Sequence, residues 1–195
     1  QTGDDGTIAQ GIAAIQDEMK LPLAFPPEVE AEAAQAAAQP RLPELDRTDI
    51  PLVTIDPPGS MDLDQALHFE RRDGGGYRVH YAIADVAAFV APGGAVDAEA
   101  HRRGETLYGA DSRIPLHPPV LSEGAASLLP DQLRPALLWT IDLDASGEIA
   151  AIDVRRARVK SRARLVYAGV QQQLDAGTAD PLWTLLREVG ELRQR

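Results

Sequence analysis

The residues best equipped for chemistry lie between Thr54 and Leu67, in the run Thr-Ile-Asp-Pro-Pro-Gly-Ser-Met-Asp-Leu-Asp-Gln-Ala-Leu. Asp56 ends a short apolar stretch that reads as a buried strand, and Pro57-Pro58-Gly59 then turns the chain. Asp62 and Asp64 are two residues apart, so an extended backbone points both carboxylates the same way. If the turn folds back, Asp56 joins them. Three carboxylates facing one point repel each other unless a cation sits between them. Hard oxygen ligands of this kind suit Mg²⁺ or Mn²⁺. The plainer alternative is that aspartates are common in turns and are solvated there. The stretch is not an EF-hand, because it lacks the glycine at the sixth position and the glutamate at the twelfth.

Three other groups could act on a ligand. Between Arg156 and Arg164, cations alternate with small or apolar residues. In a strand, Arg156, Arg158, Lys160 and Arg162 share one face. Such a stripe could follow an RNA backbone, or be a solvated face, or pair with nearby acids. Tyr108 reads either as a packed aromatic or as a platform on which a base stacks. His68 and His80 fall on neighbouring strands of one hairpin and are too few to build a zinc site. No Ser-His-Asp or Cys-His nucleophile is evident, so a metal-activated water is the chemistry that fits.

The elements that must position these residues follow from periodicity. Ile8, Ile12, Ile15 and Met19 recur at helical spacing. Pro26-Pro27-Glu28-Val29-Glu30 opens a second helix, with proline and acids suited to its first turn, and Pro40 stops the alanine-rich run that follows. Residues 1–45 are therefore expected to be a helical arm or linker, and 46–195 the domain that carries the chemistry. Leu52–Ile55 reads as a buried strand. Ala66–Glu70 and Tyr77–Ile83 flank Asp73-Gly74-Gly75-Gly76, which predicts a hairpin rather than a phosphate loop, because a strand follows and not a helix. The spacing predicts a helix from Val96 to about Leu107, with Gly104 as a weak point, and an ordered loop over 109–133. A second hairpin over Pro135–Leu143 and Ile149–Arg162 and helices over Arg164–Leu174 and Pro181–Arg193 complete the chain. This order predicts an α+β fold, a largely antiparallel β-sheet with flanking helices.

Composition bounds the function. The 195 residues carry 44% hydrophobic side chains, enough for a core, and no apolar run approaches the ~20 residues of a membrane-spanning helix. The absence of cysteine excludes a disulfide framework and a thiolate zinc site, and a cytoplasmic enzyme fits. The net charge of −11 argues against a protein that merely coats nucleic acid. It does not exclude an enzyme that binds metal through carboxylates. The first residue is Gln1 rather than Met, and the last helical pattern ends abruptly, which leads to the expectation of a piece of a longer polypeptide.

In register along the chain, these motifs resemble the ribonuclease II / ribonuclease R family, the RNB domain. Thr54-Ile55-Asp56-Pro57, then Asp62-Leu63-Asp64 before Ala66-Leu67, is similar to its catalytic signature. Tyr81–Val86, Glu99–Tyr108, Ile114–Pro119, Ala126–Leu128 and Ala163–Tyr167 continue the likeness in order, from about residue 20 to about residue 175. The resemblance implies a Mg²⁺-dependent hydrolytic exoribonuclease that works 3′→5′ on single-stranded RNA and releases nucleoside monophosphates. It implies that Asp56, Asp62 and Asp64 hold metal, that Tyr108 stacks with the 3′-terminal base, and that Tyr167 lies near a second substrate-contacting tyrosine. Gln65 stands where the family has a fourth acid, and is expected to act as a neutral ligand or water-positioner beside Asp62 and Asp64. The family's later basic residue and acid have no counterpart, so the chain resembles the N-terminal half of the domain. The rest of that domain and OB-type RNA-binding domains are then expected outside it. A monomer that binds no membrane is the expected state. Two other readings stay open: an RNB-like module that grips RNA without cleaving it, and a metal-dependent phosphohydrolase of small molecules, against which the basic stripe and Tyr108 count.

Overall fold

The computed structural model describes residues 5–109, 112–177 and 180–194. Among these the elements run α1 (Asp5–Glu18), α2 (Pro27–Ala38), β1 (Val53–Asp56), β2 (Gln65–Arg71), β3 (Tyr77–Ala84), α3 (Ala95–Arg103), β4 (Leu107–Tyr108) and β5 (Arg113–Ile114). They continue with β6 (Leu133–Leu143), β7 (Ile149–Lys160), β8 (Ala163–Val166), α4 (Tyr167–Asp175) and α5 (Pro181–Arg193). A π-helical turn at Val120–Ala125 precedes β6. Six strands form one sheet in the order β7-β6-β3-β2-β1-β8, and β4 and β5 pair as a separate ribbon. Neighbours in the large sheet are antiparallel except β1 and β8, which are parallel. The chain thus adopts the expected α+β class with a largely antiparallel sheet.

Alternation along the strands sorts the side chains into two faces. Leu67 and Phe69 of β2 face one way, into a cluster with Val170 of α4 and Leu182, Trp183 and Val189 of α5. Ala66, Ala82, Leu138, Ala157 and Val159 face the other way and pack with Leu52, Leu63 and Leu128. A third cluster joins Val29 and Ala33 of α2 to Val96 of α3, Phe89 and Leu121. The sequence left open whether the N-terminal arm packs on the domain; α2 does. Glu32 accepts from the backbone N–H groups of Ala95 (2.8 Å) and Val96 (3.2 Å), satisfying orphan donors at the start of α3. Arg103, at the other end of α3, donates to Ala24 O (2.7 Å) and stacks 3.7 Å from the Phe25 ring centroid.

Three boundaries differ from the sequence reading. The helix expected to reach Leu107 stops at Arg103, because Gly104 adopts a φ of 80° and caps it. Leu107–Tyr108 then becomes a strand, and the loop expected over 109–133 contains β5 and the π-helical turn. The helix expected from Arg164 starts only at Tyr167. The preceding residues pair with β1 in register from Val53↔Ala163 to Asp56↔Val166. That partner lies more than a hundred residues back, so no local pattern announces it.

Candidate functional site

Between β1 and β2 the chain reverses in a tight turn. Ser60 N donates to Pro57 O at 3.2 Å. Pro58 fixes the first corner, and Gly59 takes the second with a φ of 84°, the left-handed conformation a type II turn requires there. The following stretch is pinned from behind. Leu63 is 0% exposed. Its N–H donates to Ser127 Oγ (3.0 Å), the same hydroxyl donates to Met61 O (2.6 Å), and Leu128 N donates to Leu63 O (2.9 Å). With Leu63 anchored in the core, Asp62 and Asp64 on either side of it turn outward together, as their spacing predicts. On the flank, Arg164 of β8 donates to Ser60 O at 2.9 Å and holds the turn against the sheet edge.

The three acids feel one another. Burial raises the Asp64 carboxyl above its ordinary value, and the charges of Asp62 and Asp56 add to the effect. Asp56 is raised chiefly by burial; Thr54 and Arg164 oppose this and Asp62 reinforces it. Asp56 Oδ2 is buried with no hydrogen-bond partner, a costly state for a carboxylate oxygen unless a positive group compensates it. These features fit a hard cation. Among the described residues no three of His, Cys, Asp and Glu are placed to hold a metal ion by themselves, so the expected set of Asp56, Asp62 and Asp64 is not a complete three-acid site.

Asp62 and Asp64 line a cleft of about 200 Å³ with Tyr108, Arg113 and His117. The β4–β5 ribbon delivers two of these side chains, since Tyr108 and Arg113 are directly paired. Arg113 is the residue that sequence reasoning missed; a lone arginine in a loop carries no signal. Its Nη1 donates to Asp62 Oδ2 at 2.5 Å, and its Nη2 donates to Glu123. Tyr108 is 77% exposed, which sets aside the packed-aromatic reading. Tyr167, 62% exposed, opens α4 and lines a separate groove of about 640 Å³ with Ile55, Gln65 and Tyr81.

Two expectations need correction. Gln65 is not brought into the cleft with Asp62 and Asp64. It follows Asp64 on an extended backbone and so points to the other face, where its amide oxygen accepts from Tyr81 OH. The basic stripe is not a free cationic track. Arg156, Arg158 and Lys160 do share a face of β7, but each meets an acid from another segment: Asp85 at 3.3 Å, Asp46 at 3.0 Å and Asp131 at 3.9 Å. Arg162 lies beyond the end of β7, and its N–H donates to Leu52 O at 2.8 Å. The alternative of ion pairing with nearby acids is what the structure contains. His68 and His80 are directly paired across β2 and β3 with ring centroids 6.4 Å apart, on the face away from α4 and α5. Burial lowers the pKa of both.

The model of the RNB domain family matches residues 45–193. The chain is 35% identical over 152 residues to exoribonuclease 2 of Vibrio vulnificus, covering 77% of this chain and 23% of that protein. Its structure is similar to that of Mycoplasma genitalium RNase R in complex with ribose-methylated single-stranded RNA, with a TM-score of 0.83, 26% identity, and coverage of 98% of this chain and 31% of that one. It also resembles yeast Ssd1, described as a pseudonuclease, with a TM-score of 0.64 at 19% identity over 80% of this chain and 19% of that one, a likeness of fold alone. The chain therefore spans less than a third of the length of each of these three relatives.

Proposed function

The chain belongs to the RNB domain family, and from that premise we propose that it supplies the acidic cleft of a magnesium-dependent hydrolytic 3′→5′ exoribonuclease acting on single-stranded RNA. The observation that carries this reading is the convergence in one cleft of Asp62 and Asp64 with an exposed tyrosine. Asp56 and Asp64, with Asp62 beside them, would hold Mg²⁺ or Mn²⁺, which when bound supplies an activated water and neutralises charge developing on a phosphate. The chain's own groups do the rest. Tyr108 presents its ring at the mouth of the cleft, where the terminal base of a single strand can stack, a contact worth ~1–3 kcal/mol. Stacking there holds the adjoining phosphodiester over the acids, so that a water oxygen bonds to phosphorus and the 3′-oxygen leaves, releasing a nucleoside monophosphate. Tyr167 offers a second exposed ring on the neighbouring groove.

A second reading is an RNA-gripping module without cleavage. It is favoured by the absence of a fourth acid at Gln65 and by the partial neutralisation of Asp62 by Arg113. The two separate in an assay with 5′-labelled unstructured RNA and a polypeptide containing residues 1–195. Shortening from the 3′ end that stops on chelation of Mg²⁺ supports the nuclease. Binding without shortening in either Mg²⁺ or Mn²⁺ leaves the module.

A further inference from the structure

Of the three clustered acids, Asp62 alone forms an ion pair among the described residues. Its partner, Arg113, spreads its fork across two carboxylates, with Nη1 on Asp62 and Nη2 on Glu123. Glu123 comes from the π-helical turn and Asp62 from the loop before β2, so the guanidinium ties two separate segments across the cleft. An arginine carries its charge at every accessible pH. Arg113 takes one oxygen of Asp62, Oδ2, and its positive charge repels a divalent cation brought to the same carboxylate. We infer that Arg113 is an internal competitor for the divalent cation: it occupies Asp62, and the cation completes its contact with Asp62 only as the guanidinium shifts toward Glu123.

This rests on the acid-cluster reading above and adds a positioning residue to it. Arg113 acts through Asp62. It balances the repulsion among the acids when no cation is present, and it sets the cation concentration at which the cluster fills. Glu123 gives the displaced fork a place to stay, because it already holds the second nitrogen.

The test is calorimetric titration of Mn²⁺ into the chain, its Arg113→Ala and Arg113→Lys variants, and the Arg113→Ala/Asp62→Asn double variant, each first checked for folding by circular dichroism. Arg113→Ala should tighten Mn²⁺ binding by about tenfold, equivalent to about 1.4 kcal/mol. Arg113→Lys, which keeps the charge but loses the planar fork, should give a smaller gain. The double variant should lose the gain. A merely structural role would move affinity the other way, since loosening the ribbon scatters the ligands. Unchanged or weaker binding in folded Arg113→Ala overturns the inference, and so does a gain that survives Asp62→Asn. Wild-type binding with no response to Arg113→Ala sinks this inference and leaves the acid-cluster reading standing; no Mn²⁺ binding by any variant removes both.

Discussion

At the scale of single residues, Asp56 and Gln65 give opposite expectations although both flank the same turn and loop between β1 and β2. Asp56 carries a buried oxygen without a partner, so Asp56→Asn should cost about tenfold or more in Mn²⁺ affinity, roughly 1.4 kcal/mol. Gln65 faces Tyr81 on the far side of β2, so Gln65→Ala should change that affinity by about twofold at most, under roughly 0.5 kcal/mol. Equal losses in the two variants, read by calorimetry, would contradict this placement. The histidine pair makes a separate prediction. His80 is 3% exposed, and burial lowers both His68 and His80 below the ordinary 6.5. The unfolded chain therefore takes up protons at a higher pH than the folded one. Stability is fully present above about pH 6.5 and is lost as the pH falls below it, by about 1.4 kcal/mol for each unit of lowering. His80→Gln should flatten the dependence of Tm on pH between 7 and 5; an unaltered slope would show that other groups set it. The acids were legible in the sequence because spacing and buried Leu63 suffice to aim them. Arg113 was not, because its partners come from Asp62 and Glu123, and only the folded ribbon brings them together.

At the scale of elements, the acidic loop depends on what lies beneath it. Leu63 fills the core between Asp62 and Asp64 and shares its backbone bonds with Ser127 and Leu128. Leu63→Ala should cost about 2–5 kcal/mol in chemical denaturation and should also weaken Mn²⁺ binding, because the acids lose their common direction. Retained metal affinity in a destabilised but folded variant would mean that the loop is held by other contacts. The β7 stripe departs from what its sequence pattern predicts. Alternation correctly placed Arg156, Arg158 and Lys160 on one face, but periodicity says nothing about what lies opposite. The acids that meet them arrive from residues 46, 85 and 131. Asp85 is buried, so Arg156→Ala should destabilise the fold by about 1–3 kcal/mol through an uncompensated carboxylate. The salt dependence of RNA binding should stay as in the wild type, because a paired arginine releases few counterions. A shallower salt slope would return the stripe to the RNA surface. The hairpins were legible from glycine-rich turns between alternating strands: Gly76 adopts a φ of 84°, and a Cβ there would sit 2.2 Å from Leu143 O. The parallel β1–β8 pair was hidden by its sequence separation.

At the scale of the whole molecule, a chain of net charge −11 belongs to a family whose relatives include exoribonucleases. Net charge misleads about such a protein, because the acids that make it negative include the groups proposed to hold metal over the phosphate. On the proposed reading, affinity for RNA would rest on local features, the exposed rings of Tyr108 and Tyr167, rather than on an overall basic surface. Among the described residues no helix is long and apolar enough to cross a membrane. The α+β class was readable from element order, and the arm's packing was not, because Glu32 and Arg103 make contacts that no helical period encodes. On the proposed function the carboxylates of this cleft act on RNA through metal while affinity comes from elsewhere. The measurement that tests it most directly compares wild type and Asp64→Asn, in a polypeptide containing residues 1–195, for Mg²⁺-dependent shortening and for binding of the same single-stranded RNA. Asp64→Asn should abolish shortening and leave the Kd within about threefold, roughly 0.7 kcal/mol. Shortening at the wild-type rate, or loss of binding in step with loss of cleavage, would contradict it.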